Sequence, residues 1–289
     1  MAVRGVYVLA ILCVAFPAKG YTPHFHDYRE MGTIDNSAID EASGLAASRT
    51  HKNVLYTHND SGGHNLIYAI DATNGHVLST ITISGAKSHD WEDIACGPCP
   101  DMSGHCIYIA DTGGNYHGEA NVLYKVEEPD HLHHTQTISV GHSDMIHFSW
   151  SESNCETIMV GRDAEIYLIS KVAHGRGKFF HIPKSNWGRS STVHVSSLAT
   201  LDSYSSRNGP VGGDISPNGH EVIIKMLDYV LFWYIPHEDY AEGLKRNPQT
   251  LPYHRERQGE SVCWDSHGNG YYTISEGSDP TLYYYDRID

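Results

Sequence analysis

A plan of four short β-rich runs returns five times along this chain, and no other feature restricts its folding as tightly. The first unit reads SGLAAS, VLYTHND, LIYAID and VLSTITIS, separated by HK, SGG and TNGH turns. The second is DWEDIACG, CIYIADTGG and NVLYKVEEP, followed by TQTISV or MIHFSW. NCETIMV, EIYLISKV, KFFHIP and VHVSSLATL form the third. GGDISPNG, EVIIKMLD and YVLFWYIP begin the fourth, and GESVCWDSHG, GYYTISEG and TLYYYDR the fifth. No segment sustains a 3.6-residue apolar period. A small meander must bury its faces against neighbours, so the repeat predicts an all-β chain folded as a single β-propeller.

Five blades are expected. The fifth unit lacks a fourth strand, and the segment Tyr28–Ile34 is expected to complete it, closing the ring and protecting two sheet edges. A sixth blade in the 183–211 or 236–258 connection is the alternative architecture. A two-sheet sandwich suits the persistent unit less well.

The first 20 residues place Arg4 before an apolar run, Val6–Phe16, with small residues at Ala18 and Gly20. This pattern reads as a secretory signal and is too short for a membrane span. One domain, 21–289, is then expected outside the cell. Loss of Arg4 and Lys19 shifts the formal charge from −15 to −17. So acidic a surface argues against nucleic acid and anionic membranes, so that no membrane insertion is expected, and suits cations or basic partners. The 21 histidines are scattered; the densest group, His131–His134, reads as an exposed loop. Of six cysteines, Cys13 leaves with the signal, and CGPCPDMSGHC packs Cys96, Cys99 and Cys106 together. Without a second ligand pair at zinc-finger spacing, a disulfide-stapled loop is expected there.

In a propeller the innermost strand comes first, so first-strand starts and second-strand ends share one channel mouth. The starts carry Glu41, then Asp90, Glu92 and Asp93, then Glu156, Asp214 and Glu260. The ends carry His58, Asn59 and Asp60, then Asp111 and Asn115, then Lys171, Lys225 and Glu276. Carboxylates about 4 Å apart repel by roughly 1–4 kcal/mol, so such a ring needs a cation, lysines or backbone amides. Oxygen ligands favour a hard divalent ion, Ca²⁺ over Mg²⁺. The predicted metal ligands are therefore Glu41, Glu92, Asp93, Glu156, Asp214 and Glu260.

EASGLAAS, VLYTHNDSG, DWEDIA, YIADTGGN, ETIMV, YLISK, GGDISPNG and GESVCW…YYTISEG occur in this order. Together they resemble a family of secreted β-propeller proteins found in bacteria and some invertebrates. The resemblance spans about residues 41 to 285 and implies a propeller fold and a secreted location, with no established reaction. The family generally has aspartate where this chain has Gly114, SPDG where it has SPNG, and arginine where it has Lys225. The loss of a carboxylate at Gly114 weakens any transfer of a metal site.

Two functional classes follow. One is an extracellular binding or matrix protein with a divalent cation at the mouth. The other is a metal-dependent hydrolase of lactones or phosphoesters, with His58 beside Asp60, or Glu92 beside Asp93, as base. No G-x-S-x-G motif supports a serine nucleophile. The single N-glycosylation sequon, Asn59-Asp60-Ser61, falls at the predicted mouth, where a glycan would obstruct it.

Overall fold

A computed structural model describes residues 21–60, 64–114, 121–172, 176–201 and 209–289. The leader and Asn115 lie outside these residues. The repeat folds as five small sheets around a central channel, a five-bladed β-propeller. The segment β1 (Arg29–Thr33) comes first in the chain and joins the last blade. Blade one holds β2 (Ala42–Ala47), β3 (Val54–Asn59), β4 (Leu66–Asp71) and β5 (Val77–Ser84). Blade two holds β6 (Trp91–Pro98), β7 (His105–Asp111) and β8 (Asn121–Glu127). Both candidates for its fourth strand exist. β9 (Thr135–Ser139) crosses to pair in parallel with β5, while β10 (Met145–Ser149) pairs with β8.

Blade three comprises β11 (Cys155–Val160), β12 (Ile166–Ser170), β13 (Lys178–Ile182) and β15 (Ser197–Thr200). Just before β15, the two-residue β14 (Val193–His194) pairs in parallel with β10. Blade four holds β16 (Gly212–Ile215), β17 (Glu221–Met226), β18 (Tyr229–Tyr234) and, after the short helix α1 (Tyr240–Gly243), β19 (Gln249–Leu251). Blade five holds β20 (Ser261–Trp264), β21 (Gly270–Ile274) and β22 (Thr281–Asp286), and β1 pairs antiparallel with β22. The expected closure by the N-terminal segment is therefore present. Among the described residues the 183–211 and 236–258 connections supply β14, β15 and β19 to existing blades, not a sixth blade.

Burial explains the sequence pattern. Inner strands face a blade on each side, so β2 and β17 are buried throughout, while the outer β9 alternates exposed and half-buried. Five apolar layers fill the five blade junctions, including Phe25, Ile223, Phe232, Trp264 and Tyr285 between blades four and five. A disulfide joins Cys99 to Cys106 in the β6–β7 turn, while Cys96, Cys155 and Cys263 are buried thiols.

Polar side chains fasten neighbouring innermost strands. Ser43 Oγ donates to Glu92 O at 2.7 Å, and Ser261 Oγ donates to Ala42 O at 3.1 Å. A Cβ on Gly212 would lie 2.5 Å from Glu260 O, which places Gly212 at the equivalent step. These correspondences align Ala42, Glu92, Glu156, Val211 and Glu260 around the ring.

Candidate functional site

The aligned ring position carries glutamate in blades two, three and five, but Ala42 and Val211 in blades one and four. One acid per blade at a single step is thus not what the fold presents. Glu41 stands one residue before that step and is exposed. Asp214 lies deeper, where its Oδ2 accepts Trp264 N–H at 3.0 Å. Asp93 is likewise withdrawn: its Oδ1 accepts Ile94 N–H at 2.8 Å and its Oδ2 accepts Ile158 N–H at 2.9 Å. Both carboxylates serve as acceptors for orphan amides, the common use of short acidic side chains beside irregular backbone.

The acids that do meet come from blades one and two. Asp60, Asp90 and Glu92 each place one carboxylate oxygen so that all three lie within 4.8 Å of one another. Asp90 and Glu92 enter from the start of β6, and Asp60 follows β3. Asp111 fixes the β6 entry, its Oδ1 accepting Asp90 N–H at 2.8 Å, with His89 Nδ1 3.6 Å from Oδ2. Gly113 makes room: a Cβ there would fall 2.1 Å from Asp90 Oδ2 and 2.3 Å from Glu92 Oε1. The ADTGG motif carries this requirement in the sequence, although its second glycine, Gly114, rests against Ser153 and Asn154 instead.

Glu156 extends the cluster from blade three. Lys171 Nζ and Asn154 Nδ2, the latter at 3.1 Å, both donate to its Oε1. Its Oε2 is buried without a hydrogen-bond partner among the described residues. Burial, then the charges of Glu156, Asp60 and Asp90, push the Glu92 carboxyl far above the usual range, against the pull of Lys171. Burial also raises Glu156, with Lys171 opposing. On the blade-five side, burial followed by Glu260, Asp60 and Glu41 raises Glu276. The mouth is therefore one electrostatically linked set of carboxylates.

His58 does not reach the mouth. It is fully buried, its ring edge-on to Trp91 at 5.8 Å, its Nδ1 2.8 Å from Asn59 O, and burial lowers its pKa to about 4. Asn59 is occupied as well, donating through Nδ2 to Ala38 O at 2.6 Å. Lys225 turns into the blade: it is fully buried, donates to Met226 O at 2.5 Å, and lies 3.9 Å from the Tyr253 ring centroid. Burial lowers Lys225 to about 7, opposed by Glu256 and Glu260, and burial raises Glu256 to about 7, opposed by Lys225. Sequence reasoning missed Glu256, because it sits in an irregular connection with no periodic position to mark it.

No family model matches the chain, and no curated protein matches it. Among solved structures it is similar to the PQQ-bound aldose sugar dehydrogenase of Streptomyces coelicolor. That match has 14% identity, covers 94% of this chain and 100% of that one, and gives a TM-score of 0.52. Hydrazine synthase of Kuenenia stuttgartiensis matches at 15% identity over 83% of this chain and 82% of that one, with a TM-score of 0.43. At such identity the dehydrogenase match shows a shared fold and nothing finer.

Proposed function

We propose that the protein is a secreted, acidic binding propeller that holds a divalent cation at the channel mouth, Ca²⁺ in preference to Mg²⁺. The observation that carries the reading is the convergence of Asp60, Asp90 and Glu92 oxygens within 4.8 Å. An all-carboxylate oxygen set suits a hard divalent ion, and Ca²⁺ accepts the irregular, flexible geometry that Mg²⁺ resists. The unpaired Glu156 Oε2 is a further acceptor in the same linked set. The bound ion would replace the proton that burial and neighbouring acids hold on Glu92. Secretion rests on the N-terminal signal pattern, and an extracellular matrix or ligand partner on the acidic surface.

The hydrolase reading is weaker. Its candidate bases are His58, which is buried and neutral, and Glu92, whose carboxyl burial and neighbouring acids push far above the usual range and whose neighbour Asp93 is bonded to two amides. The dehydrogenase carries PQQ, a tricarboxylate quinone. This mouth gathers Asp60, Asp90, Glu92, Glu156, Glu260 and Glu276 around Lys171, so its charge does not fit such an anion. We assign no step to that cofactor.

Calcium titration of the chelator-treated protein by calorimetry tests the proposal. Saturable binding that is lost on Asp60→Asn together with Glu92→Gln supports it. Absence of saturable binding in the unaltered protein overturns it.

A further inference from the structure

The opposite end of the channel, where the innermost strands finish, has a different character. A cleft of about 210 Å³ there is lined by Arg49, His105, Arg162 and Ser266, with Cys96 in its wall. A second hollow of about 230 Å³ is lined by Arg49, His51, Lys52 and His267. The Arg49 side chain forms part of both walls, following directly on the end of blade one's first strand.

The Arg49 side chain is largely enclosed and its guanidinium has few close partners among the described residues. Its side chain is 10% exposed. Among the described residues its guanidinium makes one long bond, Nη1 to Asp265 O at 3.4 Å, and stands 4.0 Å from Asp214 Oδ2. Asp214 supplies a compensating charge, but that oxygen already accepts Trp264 N–H and is too far for a paired fork. A guanidinium offers five donors in a fixed plane, and these two contacts leave most of them for a ligand in the hollows that Arg49 lines. The plane suits a carboxylate or phosphate, which can take two parallel bonds from it. Arg162, held by Glu238 at 2.6 Å, brings a second guanidinium to the cleft. The Ser266 hydroxyl, 3.0 Å from His267 Nδ1, adds a polar group shared by both hollows.

We propose that this second mouth binds a small molecule bearing an oxyanion, a carboxylate or a phosphate ester, with Arg49 as the fork-shaped anchor and Arg162 as the flanking charge. The cleft is smaller than the roughly 300–1,000 Å³ of sites for drug-sized ligands, so it takes a compact anion or the anionic end of a longer molecule. This site shares no residue with the acidic mouth and stands independently of the cation reading.

The test is calorimetric titration of the chelator-treated protein with sodium phosphate, and separately with sodium acetate, against sodium chloride at matched ionic strength. Saturable binding of at least one anion, half-complete below about 10 mM, is expected. Tighter phosphate binding identifies the phosphate source, and tighter acetate binding the carboxylate source. Arg49→Lys keeps the charge but not the fork and should weaken binding about tenfold. Arg162→Gln should weaken it about threefold, and it decides the matter alone if Arg49→Lys fails to fold. Absence of saturation with both anions, or binding that the folded variants leave unchanged, overturns the proposal.

Discussion

Asp93 Oδ2 accepts the Ile158 amide hydrogen at 2.9 Å, so a carboxylate at the start of blade two is fastened to the backbone of blade three. The same group accepts Ile94 N–H through its other oxygen. Asp93→Ala leaves both amides buried without an acceptor, which should cost about 2–6 kcal/mol at roughly 1–3 kcal/mol per orphaned group. Asp93→Asn keeps one acceptor and should lose about half as much. Urea denaturation of both variants checks this; equal losses would remove the staple from the account.

Gly113 allows the acids to approach, and its replacement should be felt at the cation site more than in the fold. The Cβ of Gly113→Ala would meet Asp90 Oδ2 and Glu92 Oε1 rather than backbone. Calcium affinity should fall at least about tenfold, equivalent to about 1.4 kcal/mol, while chelator-treated stability changes little. Calorimetric titration alongside thermal melting separates the two quantities.

Without metal, the mouth should make the protein less stable as pH rises. Burial and neighbouring carboxylates raise Glu92, Glu156 and Glu276 in the folded state. Above about pH 4.3, the ordinary glutamate value, the unfolded chain has released protons that the native chain still holds. Stability therefore falls as pH climbs from there through the raised values. Scanning calorimetry in chelator should show a higher melting temperature at pH 5.5 than at pH 8. Glu92→Gln with Glu156→Gln should flatten the difference, and calcium should stabilise the parent most at the upper pH.

Lys225 carries the opposite sign. Its folded pKa lies at about 7, below the unfolded value of about 10.4, so above pH 7 the unfolded chain holds the extra proton. Its contribution to stability rises through that window, by at most about 1.4 kcal/mol per pH unit. Between pH 7 and 9 the parent should gain roughly 2 kcal/mol relative to Lys225→Met. Denaturant melts across that range would show parallel curves if the lysine stays charged.

The Cys99–Cys106 bridge closes a short turn, with seven residues of sequence separation. Chain-entropy arguments give such a loop about 2.5 kcal/mol at most. Replacing both residues by serine should lower stability by about that amount. In the unaltered protein, Cys96, Cys155 and Cys263 should react with alkylating agents only after unfolding.

The sequence made the blades legible because inner strands buried on both sides read as compact apolar runs between turn residues. Closure by Arg29–Thr33 was legible because the fifth unit had three strands and needed a fourth. The exchange of Thr135–Ser139 onto the first blade was not, since an outer strand with alternating exposure pairs equally well with either neighbour. In the mouth, topology foretold the meeting of Glu92 and Glu156 but not the depth of Asp214. One inserted or deleted step in a first strand moves a side chain along the channel, and that register is set by contacts such as Ser261 with Ala42. Arg49 escaped notice because a lone arginine after a strand has no pattern; only its burial singles it out.

The pairing of β1 with β22 joins Arg29–Thr33 to Thr281–Asp286. A ribosome delivers the first of those segments long before the second. Blades one to four can therefore form while the chain is still emerging, but the β1–β22 pairing waits until β22 has left the ribosome. During that interval β1 has no partner strand, and the apolar layer around Ile34 and Leu45 lacks Leu282 and Tyr284. Truncation before Thr281 would accordingly leave more than a frayed end: it would strand β1 without its partner and strip Leu282 and Tyr284 from the layer between the first and last blades.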